Sequence, residues 1–302
     1  MSIWDRIQEL ISNRDEKILD PTKYAIIDTE VGTKDHKIHD IGAVRFDEQI
    51  YHGNNKSELF SFINDVDFIC GHNIINHDAK YIFGDENSKW ELIDTLYVSP
   101  LLFSERSYHK LLKDDKILTD ELNNPVNDCY KAQDLLLDEV EQWLSLPTDK
   151  KKIYIALLLD KKEFKGFITF AEKDKELLRE YTNTETADLI KSCYRSKICQ
   201  NTDIEDIISS QPIELAYALA LADTTDYRSI TPGWVINKFP NVENIIIRLR
   251  HTLCDEGCEY CNSKLNIYTN LKTFFGYDKF REYEGEPLQE LAVKAAVNRE
   301  SL

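Results

Sequence analysis

A chain of 302 residues is long for one small domain and suits two or three units. Hydrophobic residues at 42% supply a full core, and no run of about 18 apolar residues exists that would span a membrane. The net charge of −17 argues against a broad, sequence-independent grip on nucleic acid, because phosphate contacts need lysine and arginine, yet it suits an acidic, metal-holding site. Trp4, Ile7, Leu10 and Ile11 recur at helical spacing, so residues 4–14 read as a short helix. This opening segment carries acids early and lacks the basic region, apolar block and cleavage site of a signal peptide, which points to a cytoplasmic protein.

After Asp20-Pro21 the pattern turns to strands. KYAIIDTE (23–30) and IHDIGAVRF (38–46) read as a pair joined through Gly32, with QIYHG (49–53) completing an antiparallel meander. Residues 56–64 read as helix, FICGH (68–72) as a short buried strand and NHDAKYIF (76–83) as helix. LIDTL (92–96) reads as a strand entering a helix through Phe103, and residues 127–146 as a strongly amphipathic helix stopped by Pro147. Alternating strands and helices build an α/β layer structure. Beyond Pro147 helices take over, at 153–159, 175–182 and 213–222, the last just after Pro212. Boundaries are therefore expected near 147 and 275, giving an N-terminal helix (1–20), an α/β unit (21–146), a helical connector (147–275) and a C-terminal fragment (276–302).

Asp28 and Glu30 end an apolar strand at a spacing that points both carboxylates to one face. Asp78 follows in the helix after FICGHN, and Asp128 lies in the first part of the long helix. Acids from separate elements can converge on two divalent cations, which prefer oxygen ligands and activate water for in-line attack at phosphorus. Basic clusters that can line an approach are Lys150, Lys151 and Lys152, then Lys161, Lys162 and Lys165, and Arg248 with Arg250; each reads equally well as solvated surface.

In order along the chain, DTE after an apolar strand, GHNxxxHD, and a D-x6-L helix resemble the three motifs of the DEDD (DnaQ-like) 3′→5′ exonucleases, over about 110 residues. The resemblance implies an RNase H-like domain, a mixed central sheet flanked by helices, across 21–146. It implies Asp28, Glu30, Asp78 and Asp128 as ligands of two Mg2+ or Mn2+ ions, Thr29 and Val31 beside the terminal nucleotide, and Asn73 supporting the site. The chain departs from the family at the general base. The histidine branch places it five residues before the last Asp, here Asn123, and the tyrosine branch four before, here Asn124. Neither amide accepts a proton near neutral pH. Three outcomes stay open: His109 as a substitute base, a slow enzyme without a protein base, or a domain that kept binding and lost turnover. His72 and His77 read as local hydrogen-bonding residues.

Seven cysteines, an odd number, do not suggest a disulfide framework. Cys254-x3-Cys258-x2-Cys261 places three thiolates in one tight turn, eased by Gly257. A fourth soft ligand completes tetrahedral zinc, with Cys199 preferred over Cys193 and His251. An iron–sulfur cluster is the rival; the same spacing also matches radical SAM enzymes, but only 41 residues follow Cys261, too few for their barrel.

Residues 274–302 resemble the start of a RecQ-like superfamily-two helicase, where an aromatic-Arg segment and a glutamine read adenine; Phe280, Arg281 and Gln289 match. No GxxxxGK[ST] loop is present. Together the resemblances imply a metal-dependent exonuclease acting on a nucleic-acid 3′ end, DNA first and RNA as the alternative. It would be the N-terminal part of a nuclease–helicase fusion, with a mostly α-helical, zinc-stapled connector leading to the helicase domain. The alternative is a degenerate, non-catalytic module that binds nucleic acid or a partner and positions a motor.

Overall fold

The computed structural model describes residues 23–84, 89–106, 108–109, 111, 124–224, 231–254 and 257–297. The helix expected at 4–14 and the residue Asn123 lie outside this set. The chain divides into two compact units, at Arg179 and Glu180.

The first unit is α/β. Strands β1 (Tyr24–Val31), β2 (Ile38–Arg45), β3 (Ile50–Gly53), β4 (Phe68–Gly71) and β5 (Glu91–Asp94) form one mixed sheet in the order β3-β2-β1-β4-β5. The β1–β2 and β2–β3 pairs are antiparallel and joined by short turns, whereas β1–β4 and β4–β5 are parallel. Parallel neighbours need a crossover. Helix α1 (Lys56–Phe62) lies between β3 and β4, and α2 (Asp78–Ile82) between β4 and β5. Central β1 is apolar and buried from Tyr24 to Ile27, as a strand covered on both faces must be. On one face Ala25, Ile27, Ile41 and Ala43 pack with Leu59 and Ile63 of the α1 region.

The other face receives the long helix. After α3 (Thr95–Leu102), α4 spans Pro125–Ser145. It starts two residues earlier than its periodicity suggests, because Asn124 caps it: the Asn124 Oδ1 accepts the Val126 N–H at 3.0 Å, and Pro125 occupies the first turn. Gly42 of β2 makes close docking possible. A Cβ there would sit 2.4 Å from the Val126 nitrogen, so a side chain would lift the helix start off the sheet. Further along α4, the Cys129 thiol meets the Gly42 carbonyl at 3.3 Å. This seating brings Asp128 over the end of β1.

Glu139 of α4 is fully buried, and neither carboxyl oxygen has a hydrogen-bond partner among the described residues. Burial, then the charge of Asp94, push its carboxyl well above the usual range. A carboxyl raised in the folded state contributes stability below its unfolded value near pH 4.5, and that contribution is lost as pH rises through the folded value. Glu139→Met, similar in volume and apolar, is expected to stabilise the unit by about 1–4 kcal/mol at pH 8, and by less at pH 5. Urea titrations at the two pH values check this; a destabilised variant at pH 8 would contradict it.

The boundary expected near 147 is not where the units divide. Pro147 ends α4, but α5 (Thr148–Leu158) and α6 (Lys165–Ala171) remain with the first unit. Gly166 lies so close to the Leu92 carbonyl that a Cβ would clash, and Phe170 meets Tyr24 and Phe68 edge-on at 5.6 and 5.4 Å. The Trp143 indole also donates to Glu172 at 3.1 Å. The apolar face of α6 thus belongs to the same core.

The second unit is helical: α7 (Asn183–Cys193), α8 (Ile204–Ser210), α9 (Pro212–Asp223), α10 (Gly233–Lys238), α11 (Val242–Arg250), α12 (Ile267–Phe275) and α13 (Leu288–Val297). Residues 175–182, expected as helix, form turns and extended chain instead. The helix begins after Thr182, whose hydroxyl accepts the Glu185 N–H while Glu185 accepts the Thr182 N–H. That reciprocal capping box outweighs the apolar spacing just upstream.

Candidate metal centres

Asp28 and Glu30 stand two apart on β1, and Asp128 comes from the first turns of α4. Their ligand oxygens all lie within 4.8 Å of one another, and the three side chains are half-buried. Carboxylates this close repel one another, and a divalent cation with oxygen ligands is the usual compensation. Lys131, one turn along α4, holds its Nζ 3.5 Å from Asp128.

Asp78, the fourth acid expected, stands outside that group. It is 2% exposed, and its Oδ1 accepts both the Thr29 backbone N–H at 3.0 Å and the Thr29 hydroxyl at 2.6 Å. Asp78 is thereby committed to the residue between Asp28 and Glu30. The same bonds engage Thr29, so its side chain is held in the interior rather than presented to a nucleotide. Val31 is half-buried where the β1–β2 register shifts. Asn73 adopts the left-handed region at φ 69°, with its side-chain oxygen accepting from Asn76 at 2.9 Å.

His77 is the local hydrogen-bonding residue expected, and its partner is the adjacent acid. Its Nδ1 lies 3.4 Å from the Asp78 Oδ1, and that contact raises its pKa, against burial and with help from the charges of Asp78 and Glu30. The only signal in the sequence was its place directly before Asp78. His109, by contrast, is a packed residue. It is 6% exposed, meets the Ser99 hydroxyl through Nδ1 at 2.8 Å, and is lowered by burial to about 4. It is not in the carboxylate group. His72 is held similarly on Thr95 at 3.0 Å. Replacing His109 with alanine is expected to lower stability by about 1–3 kcal/mol through the lost buried hydrogen bond and packing, read from urea titrations. An unchanged urea midpoint would contradict that packing.

Asn124, at the tyrosine-branch position, is spent on capping α4. Several lysines of the basic clusters are paired: Lys151 with Glu172 at 3.5 Å, Lys152 with Asp149 at 3.0 Å and Lys161 with Asp160 at 2.8 Å, while Lys165 bridges to Glu91.

The second centre lies in the helical unit. The sulfurs of Cys199, Cys254, Cys258 and Cys261 all fall within 4.8 Å of one another, and this cluster can hold a metal ion such as zinc. Cys193 and His251 are not in it. Cys199 is brought there by its backbone, whose N–H donates to the Leu249 carbonyl at 2.7 Å near the end of α11. Gly257, at φ 60°, turns the chain between Cys254 and Cys258. The Cys258 N–H and the Asn201 amide point at the Cys254 sulfur at 3.3 and 3.5 Å, and Tyr260 anchors the turn by donating to the Arg250 carbonyl at 3.0 Å. Burial raises Cys258, but the Cys261 and Gln200 contacts and neighbouring thiols outweigh it, bringing it down to about 7. Such N–H donors favour thiolate at Cys258, the metal-binding form, whereas burial raises Cys199 and Cys261 in the metal-free cluster.

Near the end of the chain, Phe280 packs edge-on against Tyr268 at 5.8 Å, and the Arg281 N–H donates to the Gln289 Oε1 at 2.9 Å. Of the three residues matched to adenine reading, Phe280 and Arg281 precede the Tyr283–Glu286 bridge, and Gln289 in the first turn of α13 reaches back to Arg281. Phe274 and Phe275 at the end of α12 and Tyr277 after it are 75%, 71% and 59% exposed.

Compared with protein-family models, with curated proteins and with solved structures, the chain finds no match. Among the described residues no helix is long and apolar enough to cross a membrane.

Proposed function

We propose that the first unit is a divalent-metal-dependent 3′→5′ exonuclease of the DEDD type, with an RNase H-like fold. The observation that carries this reading is the convergence of Asp28 and Glu30 with Asp128, acids a hundred residues apart, at the end of the central strand. The three-strand antiparallel meander extended by two parallel strands, with helices on both faces, is the mixed sheet that such a domain requires. Asp28, Glu30 and Asp128 would hold divalent ions there, which would supply an activated water and stabilise the leaving oxygen. Asp78 locks the strand between the first two acids through Thr29, and Lys131 offsets negative charge at the rim. With His109 packed on Ser99 and Asn124 spent on capping α4, neither would take the proton of the attacking water, and turnover would be slow.

In the second unit the four thiols form a structural zinc staple. Zinc–sulfur bonds of about 2.3 Å place tetrahedral sulfurs about 3.8 Å apart. Cys199 and Cys258 stand at 4.0 Å. An iron–sulfur cluster spreads its thiolates over separate irons around a core, which needs wider spacing than this. The C-terminal segment, with Phe280, Arg281 and Gln289 gathered, fits the opening of a RecQ-like motor. The reading is thus a nuclease module leading into a helicase domain, with a 3′ end of DNA as substrate and RNA as the alternative.

The test is a 5′-labelled single strand incubated with the protein and Mn2+. The reading predicts a ladder that shortens from the 3′ end and disappears with EDTA. The absence of any ladder, with the strand still retarded in a gel, would instead support the non-catalytic module, which the capping role of Asn124 and the packing of His109 favour.

A further inference from the structure

The loop between β4 and α2, residues 72–77, carries Asn73 and delivers Asp78, and it is fastened from the junction of β5 with α3. Asp94 is 0% exposed there. Its carboxylate accepts three backbone N–H groups: Asn73 at 2.8 Å and Leu96 at 3.1 Å on Oδ1, and Ile75 at 3.0 Å on Oδ2. The bond from Leu96 caps α3. The other two cross to the loop. Thr95 and Tyr97 add to the grip, through His72 at 3.0 Å and the Asn76 amide at 2.7 Å. A left-handed asparagine such as Asn73 costs on the order of 1 kcal/mol and persists only when its surroundings hold it.

Capping α3 does not by itself call for a buried carboxylate, because serine, threonine or asparagine caps a helix without the cost of burying charge. Only an ionised carboxylate, acceptor at every lone pair, takes three converging N–H groups without presenting a proton to any of them. We propose that Asp94 is a positioning residue for the carboxylate centre: by gripping Asn73 and Ile75 it holds the loop that sets Asp78 on Thr29, and so fixes β1 between Asp28 and Glu30. The groups facing Asp94 are Asp78, Glu139 and Cys70. Burial pushes its carboxyl up to about 7, and the three N–H donors oppose that rise. The effect on rate rests on the exonuclease reading; the clamp itself does not.

Asp94→Ser separates the two roles, since a serine oxygen still caps Leu96 but does not span to the loop. Hydrogen exchange resolved at single amides should quicken at least tenfold at Asn73 and Ile75 while Leu96 stays protected. In the Mn2+ strand assay kcat should fall about 10–100-fold with KM changed less than threefold, and Asp94→Asn, which keeps one acceptor oxygen, should recover part of the rate. Unchanged exchange at Asn73 and Ile75 overturns the clamp. Quickened exchange with unchanged kcat overturns the positioning role. A wild-type protein that gives no ladder overturns the exonuclease reading alone, because the exchange measurement still decides the clamp. If Asp94→Ser does not fold, Asp94→Asn carries the same two measurements.

Discussion

Replacing Asp28 with asparagine is expected to lower the rate of strand shortening by about a thousandfold or more. Asp28 is one of three acids whose oxygens lie within 4.8 Å of one another and could hold a metal ion, and the substitution removes a negative ligand while preserving shape. Loss of one preorganised electrostatic contact commonly costs a hundred- to a thousandfold, and losing the ion that both activates water and stabilises the leaving oxygen costs more. The same change has a second, opposite consequence. Without metal the three acids repel one another, so Asp28→Asn should raise the melting temperature of the metal-free protein. Ions bound by the folded state alone stabilise it by about 2.7 kcal/mol at a hundred times their dissociation constant. Mn2+ should therefore raise the melting temperature of the wild type and leave that of Asp28→Asn where it was. A variant that keeps both its turnover and its Mn2+ response would remove Asp28 from the centre.

The second large effect is expected at the thiols. Cys199→Ser replaces the one ligand that comes from outside the 254–261 turn, which ties the α7–α8 connection to the segment after α11. Structural zinc contributes about 10–16 kcal/mol to isolated zinc-binding peptides at pH 7, so losing one ligand should cost at least several kcal/mol here. Bound zinc is expected to fall from one ion per wild-type chain to a small fraction in the variant, with helical signal lost from the second unit at a temperature where the first remains folded. Elemental analysis and the absorption spectrum check this together. The wild type should be colourless; a brown protein containing iron would replace zinc with a cluster, and full metal retention in Cys199→Ser would assign the fourth ligand elsewhere.

Much of this architecture was legible in the residues. The meander, the two short strands after it and most of the long helix follow from alternation, apolar runs and the Pro147 stop, whereas the Asn124-Pro125 start of that helix was missed. Asp28 and Glu30 were paired by strand spacing alone, and Cys199 by the need of three thiolates for a fourth. What escaped were contacts that depend on which surface covers which. Pro147 marks the end of a helix, not of a core, because Gly166 lets α6 close onto Leu92. Asp78 matched a motif of metal ligands, but its position beside Thr29 commits it to two hydrogen bonds that no spacing rule encodes. His109 looked available as a base, whereas its packing on Ser99 shows only in three dimensions. Asp94 carried no motif at all; its importance lies in three N–H groups from two separate elements.

The central claim is that Asp28, Glu30 and Asp128 hold divalent metal. Electron paramagnetic resonance of the protein titrated with Mn2+ tests it most directly. Two tightly bound, magnetically coupled ions per chain, lost in Asp28→Asn, are the predicted result. No tight Mn2+ signal, or the same signal in the variant, would contradict it.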